Sequence, residues 1–227
     1  MILSDDNFAT IVKAVVNGRS VYANIKRSIQ FLLSGNMAAI LCVLYASIAG
    51  LAAPFAPVHL LFINLLTDSL PAIAIGMEPA RKGLLLQKPR DPKEPILNRE
   101  LVVRILGQGL LIAIPTMVAY YLGLQQGGVA MASTMAFGTL TLARLFHGFN
   151  CRGRDSIFRL GFGTNPFSLL AFVLGVILLA LVFFVPALEG LFQVAPLSLN
   201  MVGTLALLAV APTILIQIYK LIRGKLQ

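Results

Sequence analysis

Six apolar stretches, each long enough to cross a lipid bilayer, constrain the fold of this chain more than any other feature. A helix needs about 20 mostly apolar residues to span the hydrocarbon core of a membrane. Of the 227 residues, 58% are hydrophobic and only 12% are charged, against roughly 25% charged residues in soluble proteins. The sequence therefore predicts an all-α membrane protein with six transmembrane helices. The spans lie near 31–52, 58–77, 101–124, 129–149, 167–187 and 197–222.

The basic residues lie on one side of these spans. Of 18 lysines and arginines, 17 fall in the N-terminal segment, in the loops after the second and fourth spans, at the start of the third span, or in the C-terminal tail. The positive-inside rule then predicts a multi-pass protein of the cell membrane with both termini in the cytoplasm. The net charge of +9 is not gathered on one soluble face, which argues against a nucleic-acid partner and leaves the lipid bilayer as the expected one.

The segment 8–30 differs from the apolar spans because lysines and arginines alternate with apolar residues at helical spacing. Three polar residues at 5–7 are candidates for the helix N-cap. We expect one long helix that begins as a cytoplasmic stalk and continues into the first span. The alternative is an amphipathic helix that lies flat on the membrane surface.

One carboxylate, Asp68, lies in the middle of the second span, where a charge costs about 3 kcal/mol on insertion scales. Asn64, Thr67, Asp68 and Pro71 are spaced i, i+3, i+4 and i+7, so an ideal helix places them on one face. Pro71 removes the N–H that would bond the carbonyl of Thr67, and we expect the helix to be unwound there. Carboxylate, amide, hydroxyl and carbonyl oxygens suit calcium or magnesium, so the pattern predicts a cation site.

Three residues leave alternatives open. Asp68 could also be half of a structural ion pair. Asn36, in the first span, either adds an oxygen to the cation site or makes a hydrogen bond between helices. Arg144, inside the fourth span, either extends to the membrane interface or points inward and places a fixed positive charge near Asp68.

Several motifs in the first 100 residues occur together: SDDNFATIV, followed by GR and NIK, then NLLTDSLPA, then KPRDPKEP. They occupy 4–12, 18–19, 24–26, 64–72 and 88–95. In this order they resemble the calcium-pump branch of P-type ATPases, the sarcoplasmic-reticulum type and its bacterial relatives. The first group resembles the junction of the phosphorylation domain with the fifth transmembrane helix. The other two resemble the sixth helix and the cytoplasmic loop after it.

The resemblance implies a division of the chain and a role for its site residues. Residues 1–30 would be the phosphorylation-domain junction and stalk helix, and 31–227 would be a six-helix transmembrane domain, helices five to ten of ten. Asn64 and Asp68 would belong to a calcium site. Thr67 and Asn36 match positions that serve a second calcium ion in the two-site pumps.

Two departures from that pattern affect the second calcium ion. The two-site pumps carry glutamate three residues after the asparagine of helix five, where this chain has Ala39. They also carry glutamate in helix eight, where this chain has Arg144. The pattern is similar to bacterial pumps that move one calcium ion per ATP, so we expect one ion per cycle.

The sequence contains no Asp-Lys-Thr-Gly-Thr phosphorylation motif and nothing that matches a nucleotide-binding domain or the proline-broken fourth helix of the family. We therefore expect a part of a longer pump, arising from a truncation, a split gene or an isolated domain, without ATPase activity alone. ATP and Mg²⁺ would act only with the N-terminal portion present. The alternatives are a non-catalytic membrane partner and a small secondary cation transporter, although the two halves show no internal repeat.

Overall fold

The computed structural model describes residues 8–80, 83–86 and 94–223, and over these ranges the chain is helical without strands. The all-α class is thereby confirmed. The capping candidates at 5–7 and most of the motif at 88–95 lie outside the described residues. The elements are α1 (Phe8–Ile48), α2 (Pro57–Phe62), a π-helical turn (Ile63–Thr67), α3 (Ser69–Gly76), a 3₁₀ turn (Leu84–Leu86), α4 (Arg99–Cys151), α5 (Ile157–Leu160), α6 (Pro166–Phe184), α7 (Pro186–Phe192) and α8 (Leu199–Arg223).

Helix α1 is continuous over 41 residues, a length of about 60 Å at 1.5 Å per residue. That is about twice what one membrane crossing requires. The helix contains no proline, and it runs without a break through Ser34 and Gly35. It ends where Gly50 takes a positive φ of 66° and the N–H of Leu51 donates to the carbonyl of Ala46 at 2.8 Å. The cytoplasmic position of its N-terminal half stays a prediction.

Helix α4, with 53 residues, folds back on itself at Gly127 and Gly128, which have non-helical backbone angles. Gly128 has φ 70°, a conformation that glycine adopts without strain. A β-carbon on Gly123 would lie 2.7 Å from the carbonyl oxygen of Met131, whereas eight residues of straight helix would separate them by about 12 Å. We call 99–126 the N-terminal arm and 129–151 the C-terminal arm.

Both arms of α4 lie along α1. Gln30 of α1 donates to Gln108 of the N-terminal arm at 2.8 Å, and Ser34, one turn further, lies 2.9 Å from His147 of the C-terminal arm. Five helices in the described part of the chain are long and apolar enough to cross a membrane, and the longest consists of these two arms. The protein is therefore a multi-pass membrane protein. The break falls where the sequence predicts a turn between the third and fourth spans, while the count of six crossings stays a prediction.

The C-terminal arm of α4 is the centre of the bundle, with α1, α6 and α8 packed around it. Almost every residue between 131 and 151 is buried. Small residues permit this close approach: the position of Gly138 is covered by Phe183 of α6 and Leu205 of α8, which leaves no room for a side chain. The outer faces of α6 and α8 carry exposed apolar residues such as Leu207, as lipid contact requires.

The hairpin of α4 gives the first testable prediction. Gly123→Ala would place its new methyl group within 3.0 Å of the backbone of Met131 and Ala132, and the arms would have to separate. We expect a loss of about 1–3 kcal/mol, seen as a lower thermal midpoint in detergent. Gly107→Ala is the matched control because nothing lies within 4 Å of its β-position and alanine favours the helix. Equal midpoints for the two variants would contradict the hairpin.

Candidate functional site

The second long helix changes its winding just before Asp68. Between α2 and α3 the residues Ile63–Thr67 form a π-helical turn, in which the Asp68 N–H donates to the carbonyl of Ile63, five residues back, at 2.8 Å. The Thr67 hydroxyl donates to the same carbonyl at 3.0 Å. Asp68 itself keeps helical angles, with φ −85° and ψ −33°. The predicted unwinding thus takes the form of one wide turn, a feature that is frequent at functional sites.

Pro71 lies in the first turn of α3 and is buried. Proline has no N–H, so the carbonyl of Thr67 cannot receive the usual helical bond from the residue four positions later. The wide turn and the proline are adjacent, and together they loosen the backbone on both sides of Asp68.

Asn64 differs in burial from the residues around Asp68. In the π turn the carbonyl of Ile63 bonds the N–H of Asp68, one residue further along the chain than in an α-helical turn. Ile63, Thr67 and Asp68 are buried, whereas Asn64 is exposed on the surface of this chain. That Asn64 and Asp68 belong to one cation site stays a prediction.

Arg144, from the C-terminal arm of α4, lies against Asp68. Its Nη2 donates to Oδ2 of Asp68 and, at 2.9 Å, to Oδ1 of Asn36 in α1. The side chains of Arg144 and Asp68 are each only 2% exposed. Of the two placements that the sequence left open for Arg144, the structure has the inward one. We call Asn36, Thr67, Asp68 and Arg144 the Asp68 site; it joins three of the long helices.

Gly35 makes this arrangement possible, and sequence reasoning missed it. A β-carbon at Gly35 would overlap the guanidinium of Arg144, with the Cζ atom only 2.7 Å away. Gly35 stands directly before Asn36, so the arginine crosses the backbone of α1 to reach the asparagine. A glycine inside a long regular helix, beside a polar residue, was the signal for a close approach of this kind.

One carboxylate oxygen of the Asp68 site is left without a hydrogen-bond partner among the described residues. Oδ1 of Asp68 makes no hydrogen bond to any of the described residues, although it is buried. An unpaired buried carboxylate oxygen is costly, and a cation would satisfy it. Over the residues that the structure describes, no three His, Cys, Asp or Glu side chains cluster as metal ligands. Oxygens from the Asp68 site would therefore come from one carboxylate and neutral groups.

His147, three residues after Arg144 on the C-terminal arm, also makes buried polar contacts. It was not singled out from the sequence. Its Nε2 lies 2.9 Å from the Ser34 hydroxyl and 3.3 Å from Sγ of Cys151, and its ring stacks on Phe31. Arg144, His147 and Cys151 are spaced i, i+3 and i+7, so they share one face of the arm. That spacing was the signal in the sequence.

A second buried ion pair holds the far end of α3. Arg152, fully buried, donates from Nε to Oε2 of Glu78 at 2.9 Å and from Nη2 to Oε1 at 3.1 Å. This is a bidentate contact, the geometry that makes arginine–carboxylate pairs strong. The pair connects the end of the helix that carries Asp68 with the end of α4.

Side chains from other elements bond the last carbonyls of α3. Asn24 of α1 donates to the carbonyls of Gly76 and Glu78 at 3.1 and 2.8 Å. Asn165, at the start of α6, donates to the carbonyl of Ala74 and to Oε2 of Glu78, each at 2.8 Å. A helix end needs such partners because its final carbonyls have no helical donors. The helix of the Asp68 site is therefore fixed to both α1 and α6.

The contacts at the end of α3 yield a prediction on stability. Arg152→Met would leave the buried Glu78 carboxylate without its countercharge, with Asn165 as a neutral donor, so we expect a loss of about 3–5 kcal/mol in unfolding free energy in detergent. Arg154→Met is the control, because Arg154 is 75% exposed and lies 3.7 Å from Glu100, which limits its effect to about 1 kcal/mol.

The double variant Glu78→Met with Arg152→Met removes both charges and should recover much of the lost stability. If Arg152→Met were no more harmful than Arg154→Met, the buried pair would not hold α3 in place.

The chain is similar in sequence to known cation-transporting ATPases. The family described as "Cation transporting ATPase, C-terminus" matches residues 52–222. "Calcium-transporting ATPase 1" of Lactococcus lactis is 42% identical over 99% of this chain and 26% of its own length. "Calcium-transporting ATPase" of Bacillus subtilis is 39% identical over 87% of this chain and 22% of its own length.

"Calcium-transporting ATPase 1" of Bacillus cereus is 35% identical over 97% of this chain and 27% of its own length. The chain thus spans about a quarter of the length of the curated relatives that it matches.

Proposed function

This chain belongs to the family of cation-transporting ATPase C-termini, and from that premise we propose that it forms the ion-binding membrane portion of an ATP-driven calcium pump. The observation that carries the proposal is the Asp68 carboxylate, buried beside a π-helical turn with one oxygen unpaired. ATP hydrolysis, with ATP and Mg²⁺, would belong to an N-terminal portion of the pump, because the curated relatives are about four times longer than this chain.

Calcium is the proposed substrate because the available groups are hard oxygens. The free Oδ1 of Asp68, the amide oxygen of Asn36 and the hydroxyl of Thr67 would supply part of the six to eight oxygens that calcium takes. Asn64, exposed on this chain, would face the N-terminal portion of the pump and complete the site from that side. Pro71 would let the Thr67 carbonyl turn toward the ion.

Arg144 is the proposed fixed countercharge of the site. Without an ion, its guanidinium neutralises Asp68, which avoids a lone buried carboxylate. With one ion bound by Asp68 and Asn36, a second divalent ion nearby would meet both that ion and the Arg144 guanidinium within a few ångströms, where repulsion is strong in a low-dielectric interior. Ala39 adds no compensating carboxylate. We therefore propose one calcium ion per cycle.

The long α1 helix is the proposed mechanical link. Residues 1–30 would form the phosphorylation-domain junction and a cytoplasmic stalk, and 31–227 the transmembrane domain, with both termini in the cytoplasm and the whole in the cell membrane. Asn24, Ser28 and Asn36 of α1 contact the helix that carries Asp68 or its countercharge. A shift of the stalk along its axis would then change the contacts around Asp68.

The test of the proposed function requires a complete pump. We would join this chain to the N-terminal three quarters of the Lactococcus lactis relative, insert the chimera in vesicles, and measure ATP-dependent calcium uptake. Asp68→Asn should reduce uptake at least 100-fold, about 3 kcal/mol, because it removes the charged ligand. Glu189→Gln, a carboxylate-to-amide change in α7 far along the chain from the site, should leave uptake unchanged.

Uptake that survives Asp68→Asn would refute the proposal. Calcium flux in vesicles that carry this chain alone, without ATP, would favour the secondary transporter instead.

The proposed stoichiometry of one calcium ion per cycle can be measured separately. Calcium bound per phosphorylatable chimera should equal one, since Arg144 and Ala39 leave the second position without a carboxylate. In the double variant Ala39→Glu with Arg144→Glu the ratio should approach two. A ratio of two in the unmodified chimera, or of one in a double variant that still transports, would contradict the role given to Arg144.

A further inference from the structure

A small polar cleft lies away from the Asp68 site, at the end of the bundle where α8 finishes. It is bounded by α1, both ends of α4 and the last turns of α8, and it has a volume of about 70 Å³. Four cations line it: Arg104 and Arg154 on or near α4, and Lys220 and Arg223 on α8. Among the described residues that line it there is no carboxylate.

Two of the three arginines that line the cleft share one carboxylate. Glu100, one turn below Arg104, is shared by two arginines, at 2.6 Å from Arg104 and 3.7 Å from Arg154. Lys220, on α8, donates to the carbonyl oxygens of Asn150 and Gly153, each at 2.6 Å, and to that of Asp155 at 3.4 Å. Four positive charges around one small space repel one another, and an anion in that space would relieve the repulsion.

The surroundings of the cleft are apolar and face outward. Val103, next to Arg104, is 61% exposed, and Ile222, next to Arg223, is 58% exposed. Tyr219, on the cleft wall, is also exposed, and tyrosine is enriched where a membrane meets water. A ligand in the cleft would therefore have apolar helix surface beside it, which fits acyl chains and does not fit a freely dissolved ion.

From this combination we propose that the cleft binds the phosphate-bearing headgroup of an anionic membrane lipid. The arginines would contact the phosphate oxygens through paired N–H groups, and the acyl chains would lie along the outer faces of α4 and α8. The bound lipid would join α1, α4 and α8 at this end of the bundle. The proposal is independent of calcium transport and can be tested on this chain alone.

The experiment uses the two buried free cysteines, Cys42 and Cys151, as reporters of unfolding with a thiol-reactive dye. The purified chain in phosphatidylcholine micelles receives increasing phosphatidylglycerol, and the thermal midpoint is recorded. We expect a saturable rise of several degrees. In Arg104→Gln with Arg223→Gln, the phosphatidylglycerol concentration at half-effect should increase at least tenfold.

The control pair is Arg99→Gln with Arg159→Gln, which removes two exposed cations at the ends of α4 and α5 that do not line the cleft. It should respond to phosphatidylglycerol as the unmodified chain does. If the first double variant does not fold, Arg223→Gln alone, at the exposed end of α8, provides the same comparison.

Three results would overturn the proposal. The first is no dependence of the midpoint on phosphatidylglycerol. The second is an equal loss of response in the control pair, which would indicate attraction to general surface charge. The third is the same midpoint rise with inorganic phosphate in place of the lipid, which would make the cleft a site for a soluble anion.

Discussion

The contact between Arg144 and Asp68 is the interaction on which the arrangement of the helices depends. Both charges are removed from solvent, and neither would be stable there alone. The contact fixes the C-terminal arm of α4 against the second long helix, and the bond from Arg144 to Asn36 adds α1 to the same point. Gly35 is needed because the guanidinium lies against its backbone, where no side chain fits.

The same principle recurs at the end of α3. Arg152 and Glu78 form a second buried pair, and Asn24 and Asn165 bond the neighbouring carbonyls. The helix that carries Asp68 is thus held rigidly at its end, while its middle contains the wide π turn. A loosened segment next to a fixed helix end is a suitable place for a ligand that binds and leaves, because the change in backbone winding stays local.

Much of this architecture could be predicted from the sequence, since apolar length and charge distribution are local properties. The membrane class, the continuity of α1 and the turn at Gly127 and Gly128 all follow from such patterns. The π turn could not be predicted, because helical periodicity assumes 3.6 residues per turn, and the exposure of Asn64 beside the buried Asp68 could not be predicted either. The pair of Glu78 with Arg152 joins residues 74 positions apart, and no local pattern indicates which buried charges meet.

The central claim is that a calcium ion competes with Arg144 for Asp68. Solid-state NMR can measure it directly, from the dipolar coupling between the guanidinium nitrogens of Arg144 and the carboxyl carbon of Asp68 in the complete pump. Without calcium, the account predicts a strong coupling, since paired charges lie within about 4 Å. With calcium bound, it predicts a marked weakening of that coupling as Asp68 turns to the ion. A coupling that is unchanged by saturating calcium would contradict the account.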